Sequence, residues 1–520
     1  MTRRLCVLAA LAAVACSDGK SSSSGGDDGS VDGTSDGTSD GTSDGTSDGT
    51  SDGTSDGTSD GLVPETLSEA PAVVTEGLYV APEGSDESGD GTPGNPYRTV
   101  QHVLDNVASD DSVILLQPGE YPEQIRIRWN RVMLASATAE KAHISCPVSI
   151  DENDPVLCIE VDAETTGVTL RGLEVSGGFY AIYLGSQWDY DDTPLDNLAT
   201  SHVTIEDCEL HDTGRDTVKI PAGVDDVTIR RCEIHHSGVG YPDGTSVDDK
   251  NAEGIDAVNS DRLLVQDTWI HDAATTCAYS KGGAIGTVFE RVRAENCGGL
   301  GLVLGFDTSP EFFDLQANPE YYESIGGVIR NCVVSDTALA GIAIYAADSA
   351  HVLNNTVMRA GKDGHAGLYF GITLQDYDLG AGRPASRNPV VIGNIVDQSG
   401  LPGAACAGIR YTVEDDVGVV SALEGAAVMR NNLYWGDGGA CAFDDNRPDS
   451  LLESGDLAAW QAHVAGFDEG SLMANPMLDE SGHLTDGSPA IDALSENPGV
   501  TYDIDRSQRS APFDLGADEH

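Results

Sequence analysis

The sequence is short of positive charge. Its 520 residues carry 28 lysines and arginines against 86 aspartates and glutamates, a formal net charge of −58. Neutralising phosphates needs a basic surface, so nucleic acid is excluded as a partner. Aromatic residues make up only 6%, while glycines number 61. Such a chain is built of many turns rather than long helices. None of its 11 cysteines forms a C-x-x-C pair, which argues against a structural zinc site of that type. Hydrophobic runs are short as well. The run over residues 5–15 falls below the ~20 residues of a membrane-spanning helix, and no later stretch reaches that length.

Arg3 and Arg4, placed before that run, have the character of a secretion signal. Ala13-Val14-Ala15-Cys16 resembles a bacterial lipoprotein processing box, which implies that residues 1–16 are the signal and that Cys16 carries lipid. An ordinary signal cleaved after Ala15 is the other reading, and the polar stretch that follows directly favours the lipoprotein. Residues 17 to about 61 are of low complexity and end in Ser-Asp-Gly-Thr repeats that bury nothing and repel one another, so a disordered tether is expected over residues 17–76. The expected location is extracytoplasmic, at the cell surface or outer membrane, held to the membrane only by the lipid. Export permits disulfides. Setting Cys6 and Cys16 aside leaves Cys146 with Cys158 and Cys406 with Cys441 as candidate pairs, and an odd count that leaves a thiol free.

One unit recurs, beginning at residues 168, 203, 227, 263, 287, 327, 351, 390 and 427; VTIEDCELHDTG and VTIRRCEIHHSG are two copies. The shortest interval is 24 residues, close to one turn of a three-sided β-coil, and longer intervals add insertions before the units at 203, 263, 327, 390 and 427. Apolar and polar residues alternate within each unit, which is strand spacing, and repeats of this period make a solenoid. The fifth position reads Asp207, Arg231, Asp267, Arg291, Asn331, Asn355, Asn394 and Asn431. Rungs ~4.8 Å apart therefore carry alternating charges and then an asparagine ladder. The sixth position stacks Cys208 on Cys232, with Cys332 further along, as core thiols or a rung-to-rung disulfide.

The stretch YVAPEGSD…GNPYRTVQHVLDNV…VILLQPGEY, residues 79–121, resembles the opening of secreted bacterial right-handed parallel β-helix proteins. In those a short helix covers the first rung, whose unpaired edge would otherwise aggregate; here TVQHVLDNVA, residues 99–108, has helical spacing with Thr99 as N-cap. The fold class expected is all-β: a single-stranded right-handed parallel β-helix solenoid over residues 77–474, with that short N-terminal capping helix. Residues 475–520, with NPML, HLTDGSPAIDA and DLGADE, resemble a C-terminal motif of such proteins, read as a cap or sorting element. Leu494 and Arg506 depart from its usual glycines.

The resemblance, to the pectate-lyase-like superfamily, implies that substrate lies along one exposed sheet between inserted loops. The strands before the repeat units include DTVKI (216–220), EGIDAV (253–258) and AYSKGG (278–283). They place Asp216, Lys219, Glu253, Asp256 and Lys281 on consecutive rungs, with Asp248 and Asp249 on the loop upstream. This resembles calcium-dependent pectate lyases, in which acids hold Ca2+ beside a lysine base. Glu253-Gly254-Ile255-Asp256 keeps the Gly-Ile-Asp part of their motif and replaces its two upstream aspartates. The implied ligands are Asp216, Asp249, Glu253 and Asp256, with Lys281 the first candidate base and Lys219 the second. A hard cation would neutralise charge building on a uronate carboxylate while the lysine takes the α-proton. Acids and lysines on adjacent rungs also simply neutralise one another on a solvated sheet. His211-Asp212, His235-His236 and His271-Asp272 align on three units and read as a hydrogen-bonded ladder, because metal ligands must converge from different directions. Asp225-Asp226 and Asp415-Asp416 fall in turns and lack the setting of glycosidase acids. Two functions stay open: a monomeric surface lipoprotein acting on polysaccharide as a uronate lyase or epimerase, or a non-catalytic carbohydrate-binding or adhesive protein.

Overall fold

A computed structural model describes residues 62–188, 198–463 and 467–520. Cys16, residues 17–61 and the side chain of Asp248 lie outside what it describes. Three twelve-stranded sheets run the length of the chain. Sheet A starts at Leu78–Val80, sheet B at Glu120–Tyr121 and sheet C at Ile125–Ile127. Each coil passes from A to B to C and returns to A one rung on, so neighbours in every sheet are parallel, with the antiparallel Leu452–Gly455 ending sheet C. This is a right-handed parallel β-helix. Its inward positions stack like on like: Ile205 pairs with Ile229 in A, Leu210 with Ile234 in B, and Val218 with Ile255 in C. All six are fully buried or nearly so, and each such side chain contributes roughly 1.5–3 kcal/mol.

Both ends are closed. Val100–Asn106 forms the N-terminal helix, with Thr99 extended at its N-cap and Val100, Val103 and Leu104 buried on the first rung. Glu123 accepts from the N–H groups of Val100 (2.9 Å) and Gln101 (3.0 Å), which answers two donors the helix itself leaves unpaired. At the far end the helix Leu457–His463 seats Trp460 against Phe443 and Phe467. Residues 475–520 therefore do not cover the open end; they lie along sheet B. The outward column of that sheet changes from Glu174, Glu209 and Glu233 to Val333, Thr356, Ile395 and Leu433. Leu484, Leu494 and Leu515 cover the apolar part of it.

The corner between sheets A and B turns on one left-handed residue per coil, among them Asp207 (φ 58°), Arg231 (φ 53°), Asp267 (φ 50°) and Arg291 (φ 53°). Arg231 donates to both oxygens of Asp207 (2.8 and 2.9 Å), and Arg291 to Asp267 (2.7 Å), so the expected alternation is present. The asparagine ladder is present with Asn355 and Asn394 as expected, but Asn431 gives way to Asn432, and Asn331 lies in the neighbouring column. Val328 pairs with His351, and the bonded column is Asn355, Asn394 and Asn432, whose amides donate up the stack at 2.9 and 3.0 Å. Cys332 precedes them, its N–H donating to Asn355 (2.9 Å). Units begun at 351 and 390 start on the residues in register with 328 and 428, one place after those begun at 327 and 427, which moved the sequence alignment by one. Cys208, Cys232 and Cys332 are free, buried thiols; Cys146–Cys158 and Cys406–Cys441 are bonded, as is Cys277–Cys297, a pair the sequence left unassigned.

The tether boundary is also corrected. Residues 62–68 lie lengthwise on the A–B corner rather than free of it. Arg330 donates to the Val63 carbonyl (2.8 Å), Arg291 to the Thr66 carbonyl (2.7 Å) and to the Glu65 carboxylate. The other Glu65 oxygen accepts from the Thr501 (2.7 Å) and Tyr502 (3.3 Å) N–H groups, so this segment is clamped between the coil and residues 475–520.

Candidate functional site

Inserted loops leave the coil on both sides of sheet C. Residues 305–323, 372–389 and 410–425 depart between C and A, and residues 236–253 between B and C. The loop at 305–323 leans back over earlier rungs: Trp188 donates to the Glu311 carbonyl (2.9 Å), and Asn259 to the Phe312 carbonyl (2.7 Å). The outward column between these walls reads Arg126, Glu160, Tyr183, Lys219, Asp256, Tyr279, Val303, Ala343 and Tyr369. It is polar up to Asp256 and aromatic or apolar beyond.

The structure brings four of the expected residues together where the character of the column changes. Carboxylate oxygens of Asp216, Glu253 and Asp256 lie within 4.8 Å of one another, and all three residues are buried. Lys219 hydrogen-bonds to Asp256 and stands 3.8 Å from Asp216. Asp216 accepts from the Glu253 N–H (3.1 Å), and Glu253 accepts from Thr275 (2.8 Å). One oxygen on each acid (Asp216 Oδ2, Glu253 Oε2, Asp256 Oδ1) has no hydrogen-bond partner, and among the described residues no other buried carboxylate oxygen is left so. Burial, then the charges of Asp256 and Glu253, push the Asp216 carboxyl well above its usual range. Burial also raises Glu253. Asp256, although burial opposes it, is held low by Lys219 and then Lys281.

Lys281 sits one rung further on the same outward face, paired in register with Val258. Its ammonium lies 4.4 Å from the centre of the Tyr279 ring and 5.6 Å from that of Phe306, and donates to the Asp307 carbonyl (3.2 Å). Among the described residues no carboxylate lies within ion-pair distance of it. Asp249 is not brought into the cluster. It is exposed on the helix Val247–Lys250, where it accepts from the Ser246 hydroxyl (2.6 Å). Asp225 and Asp226 pair with Arg262 at a turn.

Sequence reasoning missed Glu323. This fully buried acid accepts from the Gly282 N–H (2.7 Å) and Thr308 (2.6 Å) on one oxygen, and from Gln375 (2.9 Å) and Thr373 (3.2 Å) on the other. Its backbone carbonyl accepts from Gly283 (2.9 Å). It thus ties the Lys281-Gly282-Gly283 turn to two insertions. Gly282 (φ 72°) and Gly283 (φ 97°) are left-handed, and a Cβ on Gly282 would meet Val258 at 3.0 Å. Burial raises the Glu323 carboxyl to about 7. No motif marks it, because it lies on an irregular loop; Tyr279 could have been found, since strand alternation puts it on the face of Lys281.

Residues 157–447 match the family of the right-handed β-helix region. The chain belongs to that β-helix family. No curated protein sequence matches it. Solved β-helices similar to it include XylC in complex with xylose, 11% identical over 85% of this chain and 98% of that one, with a TM-score of 0.51. Pectate lyase Pel9A is 15% identical over 86% of this chain and 97% of that one, with a TM-score of 0.43. A mannuronan C-5 epimerase A-module from Azotobacter vinelandii is 14% identical over 72% and 94%, also at 0.43. Likeness at this level is one of β-helix fold alone.

Proposed function

We propose that the groove over sheet C takes an acidic polysaccharide and that Asp216, Glu253 and Asp256 hold a divalent hard cation there, calcium being the ion whose chemistry fits. The observation that carries this reading is the set of three buried carboxylates with one unanswered oxygen each. Calcium takes six to eight oxygen ligands, so three carboxylates leave positions for water and a uronate. When bound, the ion would offset the charge that builds on a uronate carboxylate as its α-proton leaves. Lys219, already engaged by Asp256 and Asp216, serves as the internal counter-ion. Lys281, free of carboxylates and open to the groove, serves as the base. It takes the proton from C5; the C5–H electron pair forms the C4=C5 double bond; the C4–O bond breaks and the departing oxygen is protonated by water. An epimerase would instead return the proton to the opposite face. The chain acts as a monomer at the cell surface, lipid-anchored through Cys16.

The test is the ultraviolet absorbance of unsaturated uronates, and the uronate composition by NMR, after incubation with pectate or alginate in calcium or in EDTA. Activity that needs calcium and is lost in Lys281→Ala, with the coil still folded, supports the proposal. No product from a broad panel of uronate polymers refutes it. Binding in that case assigns the groove to the non-catalytic carbohydrate-binding or adhesive reading.

A further inference from the structure

Sheet B carries, on its solvated N-terminal half, an array of imidazoles that the groove of sheet C does not use. His211, His235 and His271 are in register on consecutive rungs, and their rings stack with centroids 4.8 and 4.9 Å apart. Each ring has a glutamate toward Nε2: Glu174 at 3.5 Å from His211, Glu209 at 3.8 Å from His235 and Glu233 at 3.3 Å from His271. Toward Nδ1, the outer two meet the next residue of their own turn, Asp212 (2.8 Å) and Asp272 (2.7 Å). All three turn residues are left-handed: Asp212 at φ 56°, His236 at φ 54° and Asp272 at φ 52°.

The middle rung breaks the pattern. Where its neighbours place an aspartate, it places His236. That ring stands edge-on to the stack, at 82° to His235 and 81° to His271, and its Nδ1 is 2.7 Å from Nδ1 of His235. A plain ladder offers parallel lone pairs and holds metal poorly. A ring at right angles supplies the second direction that coordination needs. Ligand atoms of His236, His271 and Asp272 lie within 4.8 Å of one another, and Asn296 steadies Asp272 through a 2.5 Å bond to its other oxygen. Glu233, 3.3 Å from Nε2 of His271, is placed to keep a proton there, as the carboxylates behind metal-bound histidines do, so that Nδ1 of His271 and Asp272, now 2.7 Å apart, can share an ion in place of a proton. His236 is exposed, so an ion can enter and keep water in an open position.

We propose that His236, His271 and Asp272 form a second metal site beside His235, for a late first-row divalent transition ion such as zinc. The mixed imidazole and carboxylate donors select such an ion over calcium, and the site lies on a different sheet from the acidic trio. It does not depend on the function proposed for the groove.

The experiment titrates the purified full-length protein with Zn2+ against a chromophoric chelator, with Cu2+ and electron paramagnetic resonance as a second readout. One zinc per chain is expected, with nitrogen hyperfine structure in the copper spectrum. His236→Asn keeps a residue that tolerates the left-handed turn, and should weaken zinc at least about 10-fold while the circular dichroism stays unchanged. Asp272→Asn gives an independent second loss. Asp256→Asn, in the sheet C cluster, should leave the stoichiometric zinc in place. The proposal is overturned if the wild type takes up no stoichiometric zinc, if His236→Asn and Asp272→Asn bind it as tightly as wild type, or if Asp256→Asn alone abolishes it.

Discussion

Replacing Glu323 by glutamine should make the stability of the coil less dependent on pH, by an amount the structure sets. The Glu323 carboxyl is raised from an ordinary 4.5 to about 7. Between those values the folded protein holds a proton that the unfolded chain has released, so stability falls as pH rises across that window and levels off above it. Each pH unit of displacement is worth 1.36 kcal/mol, which makes the loss about 3 kcal/mol. The residue is fully buried, so solvent does not screen this away. Glutamine is uncharged throughout. Its amide would face that of Gln375, whose own oxygen is buried without a partner, so a flip of Gln375 restores the bond. Unfolding entropy for a coil of this length corresponds to roughly 1 kcal/mol per kelvin. The midpoint of Glu323→Gln minus that of wild type should therefore rise by about 3 K between about pH 4.5 and about pH 8. Taking this difference cancels the titration of all other acids common to both proteins. An unchanged difference would refute the claim that Glu323 is held protonated by burial.

Glu65→Ala leaves Arg291 with Asp267 and Glu290 but strands donors that Glu65 answered, and should cost about 1–3 kcal/mol in denaturant unfolding; full stability would show that residues 62–68 do not dock. The Cys277–Cys297 bond closes a 20-residue span, and Cys277→Ser with Cys297→Ser should lower stability by about 3 kcal/mol in oxidising buffer and remove that share of the loss that reductant causes, whereas changing the unbonded Cys232 to Ala should leave the response to reductant as in wild type. Removing divalent cations should depress the thermal midpoint more at higher pH than at lower, because the Asp216 carboxyl, pushed up by burial, then has to ionise without the added cation; calcium that leaves the pH profile of the midpoint unaltered would count against the acidic trio as its site.

The coil was legible because its signals are local. Alternation within each unit and a recurring interval identify strands and rungs, and Thr99 with Val100, Val103 and Leu104 identifies the capping helix. Lys219, Asp256 and Lys281 could be placed on one face for the same reason. Asn331 and Asn431 were aligned with Asn355 and Asn394 because the units at 351 and 390 are counted from one residue later in the strand than those at 327 and 427, and a repeat alignment has no register of its own; hydrogen bonds between Asn355, Asn394 and Asn432 decide it. Glu323 and Glu65 were not legible. Their partners, Gly282 at 41 residues and Arg291 at 226 residues, are reached only through loop paths that no periodicity encodes.

The question left by the sequence was whether acids and lysines on adjacent rungs are a site or only scaffold that neutralises itself. The coil contains its own control. Glu206, buried in sheet A, is answered by Arg171 (2.6 Å), Arg230 (2.7 Å) and Arg231 (2.9 Å), and Glu290 by Arg330 and Arg291. There each carboxylate has at least two arginines of its own, and no oxygen of Glu206 or Glu290 goes without a donor. At Asp216, Glu253 and Asp256 the balance is reversed: three buried acids share Lys219, with Lys281 a rung away, and each keeps an unanswered oxygen. Leaving a buried polar atom unpaired costs about 1–3 kcal/mol; the buried acids Glu206 and Glu290 are answered by arginines and Glu323 by neutral donors, whereas the trio is answered only in part. Self-neutralisation accounts for Glu206 and fails for the trio. The trio thus has more buried acid than adjacent positive charge, where the polar column meets Tyr279, and this imbalance is what the proposed cation would offset.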